Sequence, residues 1–162
     1  MLPRAFVLAM LITQAGTTVT APAFTLVLPG QWERQPSDTG MKYTRGADTA
    51  FITTVQPAEK LNREERRVRV HRIASMRRDV IRDMTRDRAH ISAVIDTADN
   101  ERNIAYFSGD DPKNGKRFYV AVIGLRNDVI VTAALYRSLR ASPAGFEDMA
   151  RAIIESVTSR LQ

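Results

Sequence analysis

Two neighbouring segments, 117–125 and 129–137, are apolar at odd and even positions alike. A strand with one face in water alternates apolar and polar residues, so strands without this alternation are covered on both faces. The connection between them, Arg126-Asn127-Asp128, is short and has turn chemistry, which predicts antiparallel neighbours. Any fold of this chain therefore needs a sheet whose central hairpin carries a layer of structure on each side.

Short apolar and β-branched segments predict five more strands around this hairpin. They are 24–28, 41–45, 50–55, 91–98 and 102–108. Segments rich in Gly, Pro, Asn and Asp separate successive strands and give short connections. The sequence therefore predicts a mostly antiparallel, twisted sheet.

Two amphipathic segments predict helices at about 62–86 and 143–161. Asn62 is a suitable N-cap for the first helix, and Ser142-Pro143 is a typical helix start for the second. Six apolar residues at helical spacing predict the buried stripe of the first helix: Val70, Ile73, Ala74, Val80, Ile81 and Met84. Four methionines are expected as core filler: Met41, Met76, Met84 and Met149. These elements predict an α+β protein, a single α/β/α sandwich with two main helices.

The first 23 residues have the pattern of a secretory signal peptide. Arg4 precedes an apolar run from Ala5 to Ile12, and Ala21-Pro22-Ala23 offers small residues to a signal peptidase. The run is shorter than the ~20 residues that span a bilayer. We expect cleavage after Ala23, one globular domain over 24–162, and a periplasmic or secreted location. The chain has no cysteine, which excludes disulfides, thiolate metal sites and a lipid-bearing cysteine.

The chain carries a formal net charge of +6, and its basic excess is concentrated in the first predicted helix. Between Arg63 and Arg88 lie ten arginines and five acids. Such a stretch favours an acidic protein or an anionic lipid surface, and export makes nucleic acid a poor candidate. The alternative is a solvated face with salt bridges at helical spacing. The predicted partner-binding residues are Arg66, Arg69, Arg72, Arg78, Arg82 and Arg86.

The opening FTLVLPGQW resembles the strand-Pro-x-x-Trp start of the PsbP-like and DcrB-like proteins, and FEDMARAIIESV resembles their closing helix. The resemblance covers residues 24–160 and includes the order of elements. It implies a binding protein without catalysis, since the family includes an extrinsic photosystem II subunit, a Ran-binding factor, periplasmic proteins and toxin chaperones. The chain lacks the lipidated cysteine of the family's lipoproteins, so the resemblance implies no membrane tether.

Candidate catalytic residues are few. His71 and His90 are 19 positions apart, a spacing that does not suit a zinc site. Ser108-Gly109-Asp110-Asp111 is the most polar segment near a strand end, and we interpret it as part of a hairpin loop. Trp32 is expected to fill the core under the first turn, with a ligand pocket beside it as the alternative. No metal or cofactor is predicted.

These patterns predict an exported, non-catalytic domain that binds an acidic protein, as an adaptor, immunity protein or chaperone. One alternative is an envelope protein that touches anionic lipid without spanning the membrane. The other is a small hydrolase or ligand carrier with a pocket near Trp32. The sequence leaves the partner's identity and the oligomeric state open.

Overall fold

A computed structural model describes residues 16–160 as an α+β fold with two helices and a large, mostly antiparallel sheet. The helices are α1 (Arg63–Met84) and α2 (Phe146–Glu155). The strands are β1 (Thr17–Thr20), β2 (Phe24–Leu28), β3 (Glu33–Gln35), β4 (Met41–Arg45), β5 (Asp48–Val55), β6 (His90–Ile91), β7 (Ile95–Ala98), β8 (Arg102–Asp111), β9 (Lys116–Leu125), β10 (Ile130–Ser138) and β11 (Thr158–Ser159).

The predicted central hairpin is confirmed. Strands β9 and β10 pair in the middle of an eight-stranded sheet of order β3-β4-β5-β10-β9-β8-β6, with β7 also paired to β8. The odd-numbered residues of β9, such as Tyr119 and Ile123, face α2, whereas Val120 and Val122 face α1. Both faces of the hairpin are therefore buried, as its two-sided apolar pattern requires.

The two faces of the sheet are covered by different structures. Helix α1 packs against β8 and β9 on one face. On the other face, α2 lies with a three-stranded sheet of order β1-β2-β11, and together they enclose the larger core cluster. Phe24, Leu26 and Ile153, all fully buried, belong to this cluster.

Both helices are shorter than the sequence predicts. Helix α1 ends at Met84, where the Thr85 hydroxyl donates to the Ile81 carbonyl oxygen (2.8 Å) and Arg86 and Asp87 turn to positive φ. Helix α2 begins after Gly145 and not at the predicted Ser142-Pro143, because Ala144 and Gly145 form a turn in which Gly145 has φ 75°.

The C-terminal end of α2 shows why the prediction extended too far. After Ser156 the chain becomes extended, buries Val157 and pairs β11 with β2. Apolar spacing alone did not distinguish this edge strand from another helical turn. Leu161, the last residue of the second predicted helix, lies outside the described residues.

The sequence analysis missed three strands, and it predicted as one strand a segment that the structure divides into two. Strands β1, β3 and β11 are additional, and Ser92-Ala93-Val94 interrupts the predicted strand 91–98 to leave β6 and β7. Strands this short give almost no periodicity, so the sequence pattern misses them.

Strand β1 lies within the predicted signal peptide. Residues 1–15 of that segment lie outside the described residues, whereas Thr17–Thr20 pair with β2 and Val19 is 1% exposed in the core. The Thr17 hydroxyl donates to the Gly30 carbonyl oxygen (2.8 Å) and accepts from the Trp32 amide (2.9 Å). Cleavage after Ala23 would remove this strand from the domain.

Val19→Ala, in a chain that starts at Gly16, is expected to lower the free energy of unfolding by about 1–3 kcal/mol, because it removes buried methyl groups. Thr18→Ala is the matched control, since Thr18 is the exposed neighbour on the same strand. Denaturant melts of the two variants measure the difference. Equal stabilities would show that β1 is not packed on the core.

Ile153→Ala is expected to cost about 2–5 kcal/mol, because Ile153 is fully buried between α2 and the sheet and its truncation leaves a cavity. Glu155→Ala, an exposed change near the end of the same helix, is the control. A loss below about 0.5 kcal/mol for Ile153→Ala would contradict the packing of α2.

Candidate protein-binding surface

Local interactions fix the N-terminal end of helix α1. The Asn62 side chain accepts from the Glu65 amide (2.9 Å), and the Glu65 carboxylate accepts from the Asn62 amide (2.8 Å), which completes a capping box. Glu64 and Glu65 also place negative charge in the first turn, where the helix dipole favours it. The predicted N-cap is confirmed, and α1 is a well-anchored platform for its surface side chains.

Arg66 is the predicted partner-binding residue that the structure places furthest from solvent. It is 9% exposed, and its Nη2 contacts the Asp128 carboxylate at 3.1 Å. Its stem packs on the flat backbone of Gly124, where an added Cβ would lie 2.7 Å from the Arg66 Cγ. Arg66 therefore ties α1 to the β9–β10 turn and is not part of the outward surface.

Three more of the predicted arginines have partners within the domain. Arg78 donates from Nε to the Ser92 carbonyl oxygen at 2.7 Å. Arg69 pairs with Glu59, and Arg82 lies 3.3 Å from Asp79 and 3.7 Å from Asp83. The alternative of a salt-bridged face thus describes this part of the helix well.

Arg72 and Arg86 are placed differently. Both are exposed, and neither forms an ion pair or a side-chain hydrogen bond with another described residue. Arg86 lies just beyond the helix end, with φ 51°. Of the six predicted residues, these two are the ones whose guanidinium groups are available to a partner.

The apolar side chains of α1 do not all face the sheet. Val70 and Ala74 are buried as predicted, but Val80 is 54% exposed and Met84 is 73% exposed. Met76, expected in the core, is 61% exposed, whereas Met41 and Met149 pack against the core as expected. The stripe predicted from spacing is wider than the surface that β8 and β9 offer to the helix, so its outer side chains stay in solvent.

These side chains form a continuous row. Val68, Arg72, Met76, Val80 and Met84 are each four residues apart, so each lies beside the next on the helix surface. Val68 is also 51% exposed. We call this set the α1 row. It combines four large apolar side chains with one unpaired arginine.

A groove runs between the α1 row and the sheet. It has a volume of about 410 Å³, an apolar floor formed by Val120 and Ala134, and walls that include Met76, Val80 and Tyr136. Burial raises the pKa of the Tyr136 hydroxyl, and the positive charge of Arg77 opposes this shift. Tyr136 lies in a segment predicted as a covered central strand, and the two-sided apolar pattern of that segment gives no sign of this groove.

The polar segment Ser108–Asp111 belongs to a hairpin, but it lies at the end of strand β8 and not in the predicted loop, which is limited to residues 112–115. The Asp111 carboxylate is 7% exposed and accepts from the Lys113 and Asn114 amides in the β8–β9 turn. Asp110 pairs with Arg117 at 2.9 Å. Both carboxylates therefore have structural partners.

The two histidines lie far apart in the fold. His71 Nδ1 contacts the Asp96 carboxylate at 2.8 Å, which links α1 to β7. His90 pairs in register with Asp110 at the sheet edge and lines a cavity of about 270 Å³ with Ser108 and Glu147. Within residues 16–160 no group of three or more His, Asp or Glu side chains could hold a metal ion.

A second cavity, of about 410 Å³, lies between α2 and the β7–β8 edge. Tyr106 and Tyr119 stack in its wall with ring centroids 5.4 Å apart. Burial is the main cause that raises the pKa of Tyr119 to about 12. Of the charged groups that line it, Arg102 pairs with Asp99, and Arg151 pairs with Glu147.

Trp32 lies in the core, as predicted. It is 7% exposed, and its Nε1 donates to the Pro29 carbonyl oxygen at 2.8 Å. It lines none of the three cavities above. The pocket alternative of the sequence analysis therefore gains no support at this residue.

A comparison with protein-family models and with curated proteins gives no match for this chain. Neither helix in the described part of the chain has the length and apolar character needed to cross a membrane. The candidate surface is thus defined by its own geometry: an exposed apolar row, available arginines, and a groove between α1 and the sheet.

Measurements of the free energy of unfolding can distinguish arginines that hold the fold together from arginines that are free to contact a partner. Arg66→Ala is expected to lower the free energy of unfolding by about 1–3 kcal/mol, because it leaves the Asp128 carboxylate, 16% exposed, without its partner. Arg72→Ala should change it by less than about 0.5 kcal/mol. Denaturant melts of both variants measure this, and equal effects would contradict the assignment.

Proposed function

We propose that this chain is an exported, non-catalytic domain that binds a protein partner through α1. The observation that carries the proposal is the α1 row. Its residues Met76, Val80 and Met84 are each more than half exposed and follow one another at intervals of four residues, so they lie side by side on the helix surface. Single exposed apolar residues are ordinary on protein surfaces, but a contiguous row beside a groove is typical of an interaction site.

The charge around this row favours an acidic partner. Arg72 lies within the row, and Arg86 follows its C-terminal end. Arginine suits carboxylate recognition because its planar group donates two parallel hydrogen bonds and sheds water more readily than lysine. The partner face is therefore narrower than the six arginines suggest, since Arg66 and Arg78 hold α1 to the rest of the domain.

Export is supported by the basic, apolar and small-residue order of the first 23 residues. The integration of Val19 into the core favours a mature chain that keeps β1. Cleavage upstream of Thr17 would keep β1 but would leave Ala21-Pro22-Ala23 unused, whereas cleavage after Ala23 would use these residues and require the core to close without Val19.

The PsbP-like or DcrB-like assignment belongs to the same proposal. Its support is the strand-Pro-x-x-Trp opening and the packing of α1 and α2 on opposite faces of one sheet, the arrangement of an α/β/α sandwich. The three-stranded sheet beside α2 is an addition to that plan. The assignment implies an adaptor, immunity or chaperone role and does not choose among them.

Contact with anionic lipid is the second candidate. Met84, the most exposed apolar side chain of the row, is followed by Arg86 and Arg88, and such a combination suits an anionic membrane surface. The charge pattern suits both candidates, and the protein hypothesis is preferred because the α1 row lies beside a concave groove, which fits a protein segment better than a flat bilayer.

Site-specific photo-cross-linking in the exporting cell distinguishes the two candidates. A cross-linking amino acid at Met76 should give a discrete protein adduct that is lost when Arg72→Glu is added, because the charge reversal repels an acidic partner. The same amino acid at Lys113, exposed in the β8–β9 turn, is the control. Identical adducts at both positions, or flotation with anionic vesicles and no protein adduct, would refute protein binding through α1.

A further inference from the structure

Helix α1 leaves part of its sheet face open. It packs on β8 and β9, and the sheet continues beyond them through β10, β5, β4 and β3. The side chains on this face of β10 and β5 include Ala134, Tyr136, Phe51, Thr53 and Val55. We call these five residues the open strip. Val55 is 52% exposed, and Phe51 and Tyr136 are partly exposed.

The open strip has the width and length of one helix. Strand β5 and its neighbour β4, which carries Lys42 on the same face, span roughly 10 Å, which is the usual distance between the axes of packed helices. Along β5, the strip extends from Val55 to Thr49, seven positions or roughly 20 Å, whereas on β10 Ile130 and Thr132 are buried and the strip is open only toward Tyr136. That length corresponds to about 13 residues of α-helix. One wall of this slot already exists, since Met76 and Val80 of α1 line the groove beside Ala134 and Tyr136.

The slot is bordered by positive charge. Arg77 forms part of the groove wall, and Lys42 lies on β4 directly beside Phe51. Neither has an ion pair with another described residue, and Arg77 makes one hydrogen bond, to the Thr53 hydroxyl at 3.3 Å. The neighbouring acids on α1, Asp79 and Asp83, are in contact with Arg82. A helix in the slot would therefore meet uncompensated cations on both sides.

We propose that the open strip receives an amphipathic helix of the partner protein, packed beside α1, with its apolar face on Phe51, Tyr136 and Val55 and acidic residues on its flanks. The inference rests on the proposed function and specifies the partner's structure. The helix would present apolar anchors at i, i+3, i+4 and i+7, and its carboxylates would pair with Arg77 and Lys42. It would add a second helix to the layer to which α1 belongs.

Two neighbouring residues supply the critical variant and its control. Val55→Glu places a charge on the open strip, whereas Thr54→Glu places the same charge on the adjacent exposed residue, whose side chain points to the opposite face of the sheet. Neither residue is buried, so both variants should retain the wild-type melting behaviour.

The probe is a displayed library of helical peptides of about 18 residues with randomised surface positions, selected on the purified wild-type chain. Selection is expected to enrich helices with an apolar face flanked by Asp and Glu. Their affinity, measured by fluorescence anisotropy, should fall about tenfold or more in Val55→Glu and less than about twofold in Thr54→Glu. It should also fall as salt is raised.

Other outcomes separate the inference from the function it rests on. If the selected helices bind Val55→Glu as tightly as wild type but lose affinity in Arg72→Glu, the partner binds α1 outside the slot and the inference fails while the proposed function stands. Absence of acidic amphipathic helices among the selected peptides, or self-association of the chain that Val55→Glu abolishes, would overturn the inference. If Met76 also gives no protein adduct, the proposed function fails as well.

Discussion

The need to cover both faces of the β9–β10 hairpin governs the rest of this structure. Ile123 and Leu135 are buried on one face, and Val122 and Ile130 on the other. The first face is closed by α2 and the small sheet of β1, β2 and β11, which surround it with large side chains such as Phe24 and Ile153. Among the described residues, the second face is covered mainly by α1, with Val94 packed beside it, and a single helix covers only about two strands.

This unequal coverage explains where the candidate surface lies. A sheet of eight strands offers more area than one helix can bury, so the face that carries α1 remains partly open over β5 and the Tyr136 end of β10. The same geometry leaves Met76 and Val80 more than half exposed at the edge of the groove, since no described residue covers them there. The exposed apolar row and the open strip are thus two sides of one gap, and a partner that fills the gap would contact both.

Electrostatics divides the arginines of α1 into two groups with different consequences. Arg66, with Asp128, and Arg78, with the Ser92 carbonyl oxygen, attach the helix to the sheet side of the domain. Replacing them would disturb folding before it disturbs binding, because a partly buried partner would be left unsatisfied. Arg72 lies within the α1 row and Arg77 lines the groove, so a change of charge at either residue would act on the proposed recognition of a partner and not on the attachment of the helix.

Much of the architecture could be predicted from the sequence because it depends on local patterns. The two-sided apolar strands, the Asn62 cap and the turn residues before and after each strand all express rules that act over a few residues. The concentration of arginine between Arg63 and Arg88 is likewise a property of the chain itself. Strands β1, β3 and β11 escaped prediction because two to four residues carry too little periodicity.

Only the tertiary structure decided the orientation of residues whose side chains suit both a buried and an exposed position. A helical stripe that includes Val80 and Met84 predicts an apolar side, but the width of the opposing sheet determines which of its members are buried. An arginine such as Arg66 fits a solvated face equally well, and only the approach of Asp128 and the bare backbone of Gly124 make its buried position favourable. Sequence thus determined the elements and their charge. The fold determined which of those side chains remain free to meet a partner, because burial depends on what the rest of the chain brings to each surface.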